Sequence, residues 1–217
     1  IGLRKKMPTL PSTGLEIIAE ASLADKKEFN TLSFYYGKNW VPHGYGWIFP
    51  MQEPYLKIGC GVLQPLRYSS LASFDEILNK LIKRVSWLEN IRVVEKHGGS
   101  LYGLGIKNHV KGNIIAIGDA ADQINPLGGE GIRHVLQSAR FAYEVIQQSL
   151  KNKNTGNLLR YNMLWRNYIG WKWFVGRQTA RIVYPYFSDS WWDRFTGLLS
   201  KMSAEEIFDV LFEYKAG

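Results

Sequence analysis

The sequence predicts an α+β protein, with an antiparallel sheet and accompanying helices first, one strand-loop-helix unit next, and a helical C-terminal region last. Three observations predict it. Short runs of β-branched and aromatic residues, punctuated by Gly, Asn and Pro, recur between residues 15 and 63; a compact apolar run at 113–117 leads through a glycine loop into a long amphipathic stretch; and the chain beyond residue 156 is rich in tryptophan with few strand signals. With 217 residues, 46% hydrophobic and 21% charged, the chain has enough apolar material for a real core and for one or two domains.

Strands are expected at 15–21, 31–36, 45–49 and 55–63, close enough in sequence to pair antiparallel. Ser73-Phe-Asp-Glu76 reads as a capping box, in which the Ser and Glu side chains satisfy each other's backbone N–H groups at a helix start. Phe74, Ile77, Leu78, Leu81, Ile82 and Val85 continue it as an amphipathic helix for one face of the sheet. Further strands are expected at 91–95 and 100–106. The run 113–117, apolar throughout, reads as a strand covered on both faces.

After that strand comes Gly118-Asp119, and after the turn Gly128, Gly129 and Gly131 let the backbone approach a ligand with no Cβ in the way. Ile132, Val135, Leu136, Ala139, Tyr143, Ile146 and Leu150 then mark one apolar face of a helix. Its free N–H groups and positive dipole end point into the glycine loop and favour an anion or an electron-rich carbonyl there. Asp119, at the carboxyl end of the strand, is placed to accept hydrogen bonds from sugar-like hydroxyls. Taken by itself, strand-Gly-Asp is equally well read as a capped turn.

Beyond 151–156, Trp165, Trp171, Trp173, Trp191 and Trp192 are interleaved with Arg166, Lys172, Arg177, Arg181 and Arg194. They form no single helical stripe, and aromatic packing within a helical cap is the preferred reading over a lipid-interface belt. Ser203-Ala-Glu-Glu206 is a second capping box, and Ile207, Val210, Leu211 and Tyr214 are the expected buried side of its helix. The expected division is therefore 1–110, a sheet domain; 111–150, the strand-loop-helix piece; and 151–217, the helical aromatic-rich region.

The formal charge of +8 would suit nucleic acid or an anionic surface, but Lys and Arg are scattered and no zinc spacing or recognition motif is present, so no nucleic-acid partner and no metal are expected. Cys60 stands alone, which fits a reducing compartment, and no apolar run approaches the roughly 18 to 20 residues of a spanning helix. A cytoplasmic location follows as the expectation. His43, His97, His109 and His134 lack ligand spacing or an adjacent nucleophile and are expected at the surface or in turns.

Tyr45-Gly-Trp47-Ile-Phe49-Pro50 places three aromatics at alternate strand positions, hence on one face. Periodicity alone would make them core. Their spelling, followed by Gly59-Cys-Gly61, is similar to the substrate-domain motif of geranylgeranyl reductases. The series Gly118-Asp119-Ala120-Ala121, Pro126 and 128–132 resembles the second flavin motif of the same flavoproteins, the glutathione-reductase-type superfamily that includes the aromatic hydroxylases. Met51 and Asp122 depart from the residues usual in that family.

The resemblance implies the C-terminal portion of an FAD-dependent oxidoreductase that reduces isoprenoid double bonds, with one strand-loop-helix from a Rossmann-like FAD-binding domain. It implies that Gly118, Asp119, Pro126, Gly128, Gly129, Gly131 and Ile132 contact FAD, and that Tyr45, Trp47, Phe49 and Pro50 line a cavity for a hydrophobic prenyl-type substrate. No catalytic acid is assigned. No strand here leads into G-x-G-x-x-G, since Gly59-Cys-Gly61 and Gly103-Leu-Gly105 lack the third glycine and the following helix. The chain therefore reads as an excised piece, with FAD weak or absent in isolation, self-association through the 113–117 strand, and room for peripheral membrane contact. The alternatives are a lycopene-cyclase-like or aromatic hydroxylase flavoenzyme, or a non-catalytic binding module.

Overall fold

A computed structural model describes residues 3, 12–21, 30–63, 74–88, 90–101, 106–211 and 213. Its contacts divide the chain into two compact units, one built from 10–100 and 182–200, the other from 1–9, 101–181 and 201–217. The α+β class holds.

The first unit is a five-stranded sheet of β1 (Ser12–Glu20), β2 (Ser33–Tyr36), β3 (Gly44–Pro50), β4 (Tyr55–Leu63) and β5 (Arg92–Leu101), in the order β2-β3-β4-β1-β5. The β2/β3, β3/β4 and β4/β1 pairs are antiparallel, with Trp47 opposite Gly59 and Gly59 opposite Glu16. Alternation then sorts the side chains. Ile17, Ala19, Ile48, Leu56, Ile58, Cys60 and Val62 face one way and form the core with Ile77, Leu78 and Leu81 of α1 (Phe74–Arg84). The helix periodicity read from the sequence is thus matched by a sheet face of the same character. The strand expected at 91–95 continues through Gly98 and Gly99 to Leu101 and so takes in the start of the one expected at 100–106, of which residues 102–105 lie outside the described residues. Ser73 and Gly103-Leu-Gly105 lie outside the described residues.

The second unit holds a hairpin of β6 (Val110–Lys111) and β7 (Ile114–Ile115), followed by α2 (Ile132–Lys151), α3 (Arg160–Ile169), the first part of α4 (Lys172–Tyr186), and α6 (Ala204–Leu211). The strand expected at 113–117 is reduced to two residues paired antiparallel with β6, and Ile114 is exposed. A strand buried on both faces needs neighbours on both edges, and among the described residues β7 has only β6.

The core of this unit is Val110, Ala142, Val145, Leu158, Tyr161, Trp165 and Trp173. It also corrects the reading of α2. The inward residues are His134, Ser138, Ala142, Val145 and Ser149, whereas Ile132 is 77% exposed, Leu136 67% and Leu150 74%. Small side chains at 138 and 142 admit the large rings of Tyr161 and Trp165, so volume complementarity selected a face that hydrophobicity alone did not. In α6 the Ser203–Glu206 box is formed, with Ser203 N donating to Glu206 Oε2 at 2.7 Å and Glu206 N donating to Ser203 Oγ at 3.2 Å. No residue of α6 is fully buried, however, and Tyr214 is outside the described residues.

His109 and His134 are buried, which corrects their assignment to the surface. His109 packs against the rings of Tyr161 and Trp165, at 5.5 and 5.9 Å between centroids. Neither of its ring nitrogens meets a hydrogen-bond partner among the described residues, and burial pushes its pKa down to about 4. Residues 182–200 pack with the sheet unit, where α5 (Asp189–Leu199) contributes the buried Trp192. Trp165 and Trp173 are also buried, while Trp171 and Trp191 are exposed.

Candidate functional site: a glycine loop and an aromatic wall

The loop that follows β7 opens with a short 3-10 turn, Gly118–Ala121. Gly118 has φ 62° and sits so close to α2 that a Cβ there would come within 2.9 Å of Val135 Cγ2. Asp122 ends the turn in the left-handed region at φ 54°, a conformation that Asp tolerates better than most side chains. The N–H of Asp122 returns to Asp119 O and that of Gln123 to Gly118 O, both at 3.1 Å.

Two buried amides, unassigned from the sequence, hold the loop. Gln123 Oε1 accepts the Gly118 N–H at 2.7 Å, and its Nε2 donates to the Tyr161 hydroxyl at 2.8 Å, which in turn meets Ser138 Oγ at 2.5 Å. Burial raises the Tyr161 pKa, with Ser138 and Gln123 acting in the opposite direction, so the phenol stays protonated. Asn125 Oδ1 accepts from Leu127 N and Gly128 N at 2.9 and 3.1 Å, and the Asn125 carbonyl accepts from Gly129 N at 2.9 Å. This Asx turn carries the buried Pro126 and sets Gly129 at φ 69°. The signal in the sequence was the polar pair Gln123 and Asn125 alternating with Ile124 in a segment otherwise shaped by glycine.

The turn uses its own Leu127, Gly128 and Gly129 N–H groups. Those of Gly131 and Ile132 have no hydrogen-bond partner among the described residues. The Arg133 N–H is taken by Glu130 Oε1 at 2.8 Å. Asp119 is exposed, and its Oδ1 lies 3.9 Å from where a Cβ on Gly131 would be. An exposed carboxylate thus lies near the start of a 20-residue helix whose first N–H groups, at Gly131 and Ile132, are unsatisfied among the described residues.

Behind this loop, His134 Nε2 lies 3.3 Å from Glu130 Oε2 and its Nδ1 3.2 Å from the Tyr168 hydroxyl. Burial keeps His134 below its ordinary pKa, against the pull of Glu130. Glu213 closes the cluster through Arg133 and through Lys172 at 2.5 Å. Although burial opposes ionisation, these two cations hold its carboxyl below the usual range.

In the sheet unit, Tyr45, Trp47 and Phe49 share the face opposite α1, as alternation requires, with centroid spacings of 5.8 and 6.3 Å along β3. Phe34 of β2 joins them at 5.2 Å from Phe49. Pro50 ends the strand opposite Leu56. At the other end, Tyr184 lies 6.4 Å from Tyr45, and Trp192 stacks on Tyr36 at 4.7 Å. The tail thus supplies part of the wall, a contribution that spacing within β3 could not reveal. Burial pushes the Tyr45 phenol up to about 12 and raises Tyr36 as well, so the wall is uncharged at neutral pH. Cys60 faces the core instead, its thiol pushed up to about 12 by burial and then by Asp75, and is unreactive there.

Residues 16–101 match the geranylgeranyl reductase catalytic domain. The chain is 29% identical over 150 residues to digeranylgeranylglycerophospholipid reductase 2 of Methanothermobacter thermautotrophicus, covering 64% of this chain and 36% of that protein. It is 33% identical over 140 residues to the digeranylgeranylglycerophospholipid reductase of Methanococcus vannielii, covering 63% and 35%. The chain thus spans about a third of the length of these curated relatives. Among solved structures, a geranylgeranyl bacteriochlorophyll reductase-like protein from Thermoplasma acidophilum superposes with a TM-score of 0.79 at 18% identity, over 94% of this chain and 53% of that one. That likeness concerns the fold.

Proposed function

We propose that the chain is the substrate-binding and C-terminal part of a geranylgeranyl-reductase-type, FAD-dependent oxidoreductase that reduces isoprenoid double bonds, a reading supported by the match of residues 16–101 and by the similarity to digeranylgeranylglycerophospholipid reductases. The observation that carries this reading is one chain holding both an uncharged aromatic wall and a glycine loop in which an exposed carboxylate lies near the unused N–H groups of a helix start. The loop fits the ribityl and pyrimidine end of a flavin. Asp119 accepts hydrogen bonds from ribityl hydroxyls, while Gly131 and Ile132 direct N–H groups and the helix dipole toward the pyrimidine oxygens. Gly118, Pro126, Gly128 and Gly129 shape the backbone that makes this approach possible. FAD, when bound, supplies the hydride chemistry.

Tyr45, Trp47, Phe49 and Pro50, with Phe34 beside them, bind a prenyl chain by dispersion and exclude water from it. Residues 10–100 accordingly form the substrate domain, and 111–150 contribute to the FAD domain. Among the described residues no helix is long and apolar enough to cross a membrane.

The exposed apolar stripe of α2 favours a second reading for the chain in isolation, that of a binding module with weak or no FAD and a tendency to self-associate. The test supplies FAD to the gene product that carries this chain and follows products by mass spectrometry in two arms, an anaerobic one with dithionite and a geranylgeranyl phospholipid or lycopene, and an aerobic one with NADPH and a phenol. Gain of two hydrogens per double bond on the prenyl lipid is expected. Hydroxylation of the phenol alone would sink the reductase reading, and stoichiometric flavin in the purified chain would refute weak binding.

A further inference from the structure

On the open face of the sheet, Glu16, Gly59 and Trp47 lie abreast on β1, β4 and β3. The Trp47 indole does not stand up from its strand. It crosses β4, where a Cβ on Gly59 would fall 2.4 Å from Trp47 Cε2 and Cζ2, and reaches Glu16, whose Oε2 accepts the indole N–H at 2.8 Å. Gly61 and Gly14 extend the same floor, with Cβ positions 3.4 and 3.8 Å from the ring. A side chain on Gly59 would push the ring off the sheet, and without an acceptor on β1 the indole would have no reason to lie flat.

Glu16 is itself fixed from two further strands. Its Oε1 lies 3.2 Å from Lys57 Nζ on β4 and 3.0 Å from His97 Nε2 on β5, and Glu95 stands 3.5 Å from the other nitrogen of that imidazole. The carboxylate is mostly buried, at 16% side-chain exposure. Burial opposes its ionisation, but Trp47, Lys57 and His97 outweigh it and keep the carboxyl below its ordinary pKa. A charged group is placed here because a charged acceptor holds an N–H more strongly than a neutral one.

We propose that Glu16 is a positioning residue for substrate, locking the Trp47 indole flat across Gly59 so that its face becomes the surface against which the isoprenoid chain lies. The proposal rests on the reading of the wall as the prenyl-binding surface. The reacting carbons are not touched by Glu16, which acts through Trp47.

The test is a double-mutant cycle in the full chain, with radiolabelled geranylgeraniol in detergent as the probe and the indole N–H resonances as a second readout. Glu16→Leu should weaken geranylgeraniol binding about tenfold, while Glu16→Gln, which keeps an acceptor, stays within about twofold. In a Trp47→Phe background, Glu16→Leu should add nothing. The Trp47 N–H signal, identified by its loss in Trp47→Phe, should be slow to exchange in the native chain and shift in Glu16→Leu.

Equal loss from Glu16→Leu with and without Trp47 would mean a purely structural carboxylate and overturn the proposal. So would an indole signal indifferent to Glu16→Leu, whether or not ligand binds. A locked indole with no geranylgeraniol bound to the native chain sinks the prenyl reading instead.

Discussion

In the sheet unit Leu81 of α1 and Ile58 of β4 are both fully buried against each other's elements, whereas in the glycine-loop unit α2 turns Ile132, Leu136, Tyr143, Ile146 and Leu150 outward. The two helices have similar amphipathic patterns. What differs is the surface available to each. The apolar side of α1 meets a sheet face of alternating Ile, Val and Leu, a partner that tolerates any branched side chain of suitable size. Against α2 stand the bulky Tyr161, Trp165 and Trp173, which close-pack only on small residues, so Ser138 and Ala142 go inward. Amphipathicity states that a helix has a preferred side; it does not state that the preferred side is covered.

The largest test of this contrast lies inside the second core. Trp165→Ala, which empties the space beside Ser138 and Ala142, should cost about 4 kcal/mol in urea unfolding, as large aromatic truncations do. If it costs as little as a surface change, the core is not where the structure puts it.

Next comes His109. Its folded pKa of about 4 lies below the ordinary 6.5, so the unfolded chain binds a proton that the folded chain refuses. Stability is therefore complete above pH 6.5 and is lost as pH falls toward 4, by roughly 3 kcal/mol on a two-state reckoning. His109→Phe should flatten that slope and leave stability at neutral pH little changed, since neither ring nitrogen has a partner to lose among the described residues. An unchanged slope in His109→Phe would assign the acid sensitivity elsewhere.

Asn125→Ala removes the acceptor for two loop N–H groups and should cost about 1 to 2 kcal/mol, with a larger effect on FAD affinity than on unfolding. Equal effects on both would reduce Asn125 to a stability residue. The smallest change is expected on α2. Leu136→Lys should alter stability by no more than about 0.5 kcal/mol while shifting sedimentation toward monomer, the opposite of what Leu81→Lys would do in α1. A costly Leu136→Lys would erase the contrast between the two helices.

Much of this was legible from residue patterns. The four strands between 12 and 63, the helix at 74–84, the shared face of Tyr45, Trp47 and Phe49, and the capping box at Ser203 all follow from interactions within a few residues or from strict alternation. Gln123 and Asn125 were not read as functional, because their partners are loop N–H groups and, for Gln123, a tyrosine 38 positions away. Glu16 was hidden for a similar reason. Its role appears only when the register places Gly59 between it and Trp47.

By itself, the sequence determined the α+β class, the alternation that makes an aromatic wall, and the glycine and aspartate turn that leads into α2, since each depends on backbone geometry and short periodicities. Tertiary structure alone decided which face of α2 is buried, that His109 and His134 are interior, that Tyr184 and Trp192 extend the wall, and that Glu16 holds Trp47. Those outcomes depend on the volumes and hydrogen-bonding groups brought opposite one another from distant positions, which no local pattern encodes.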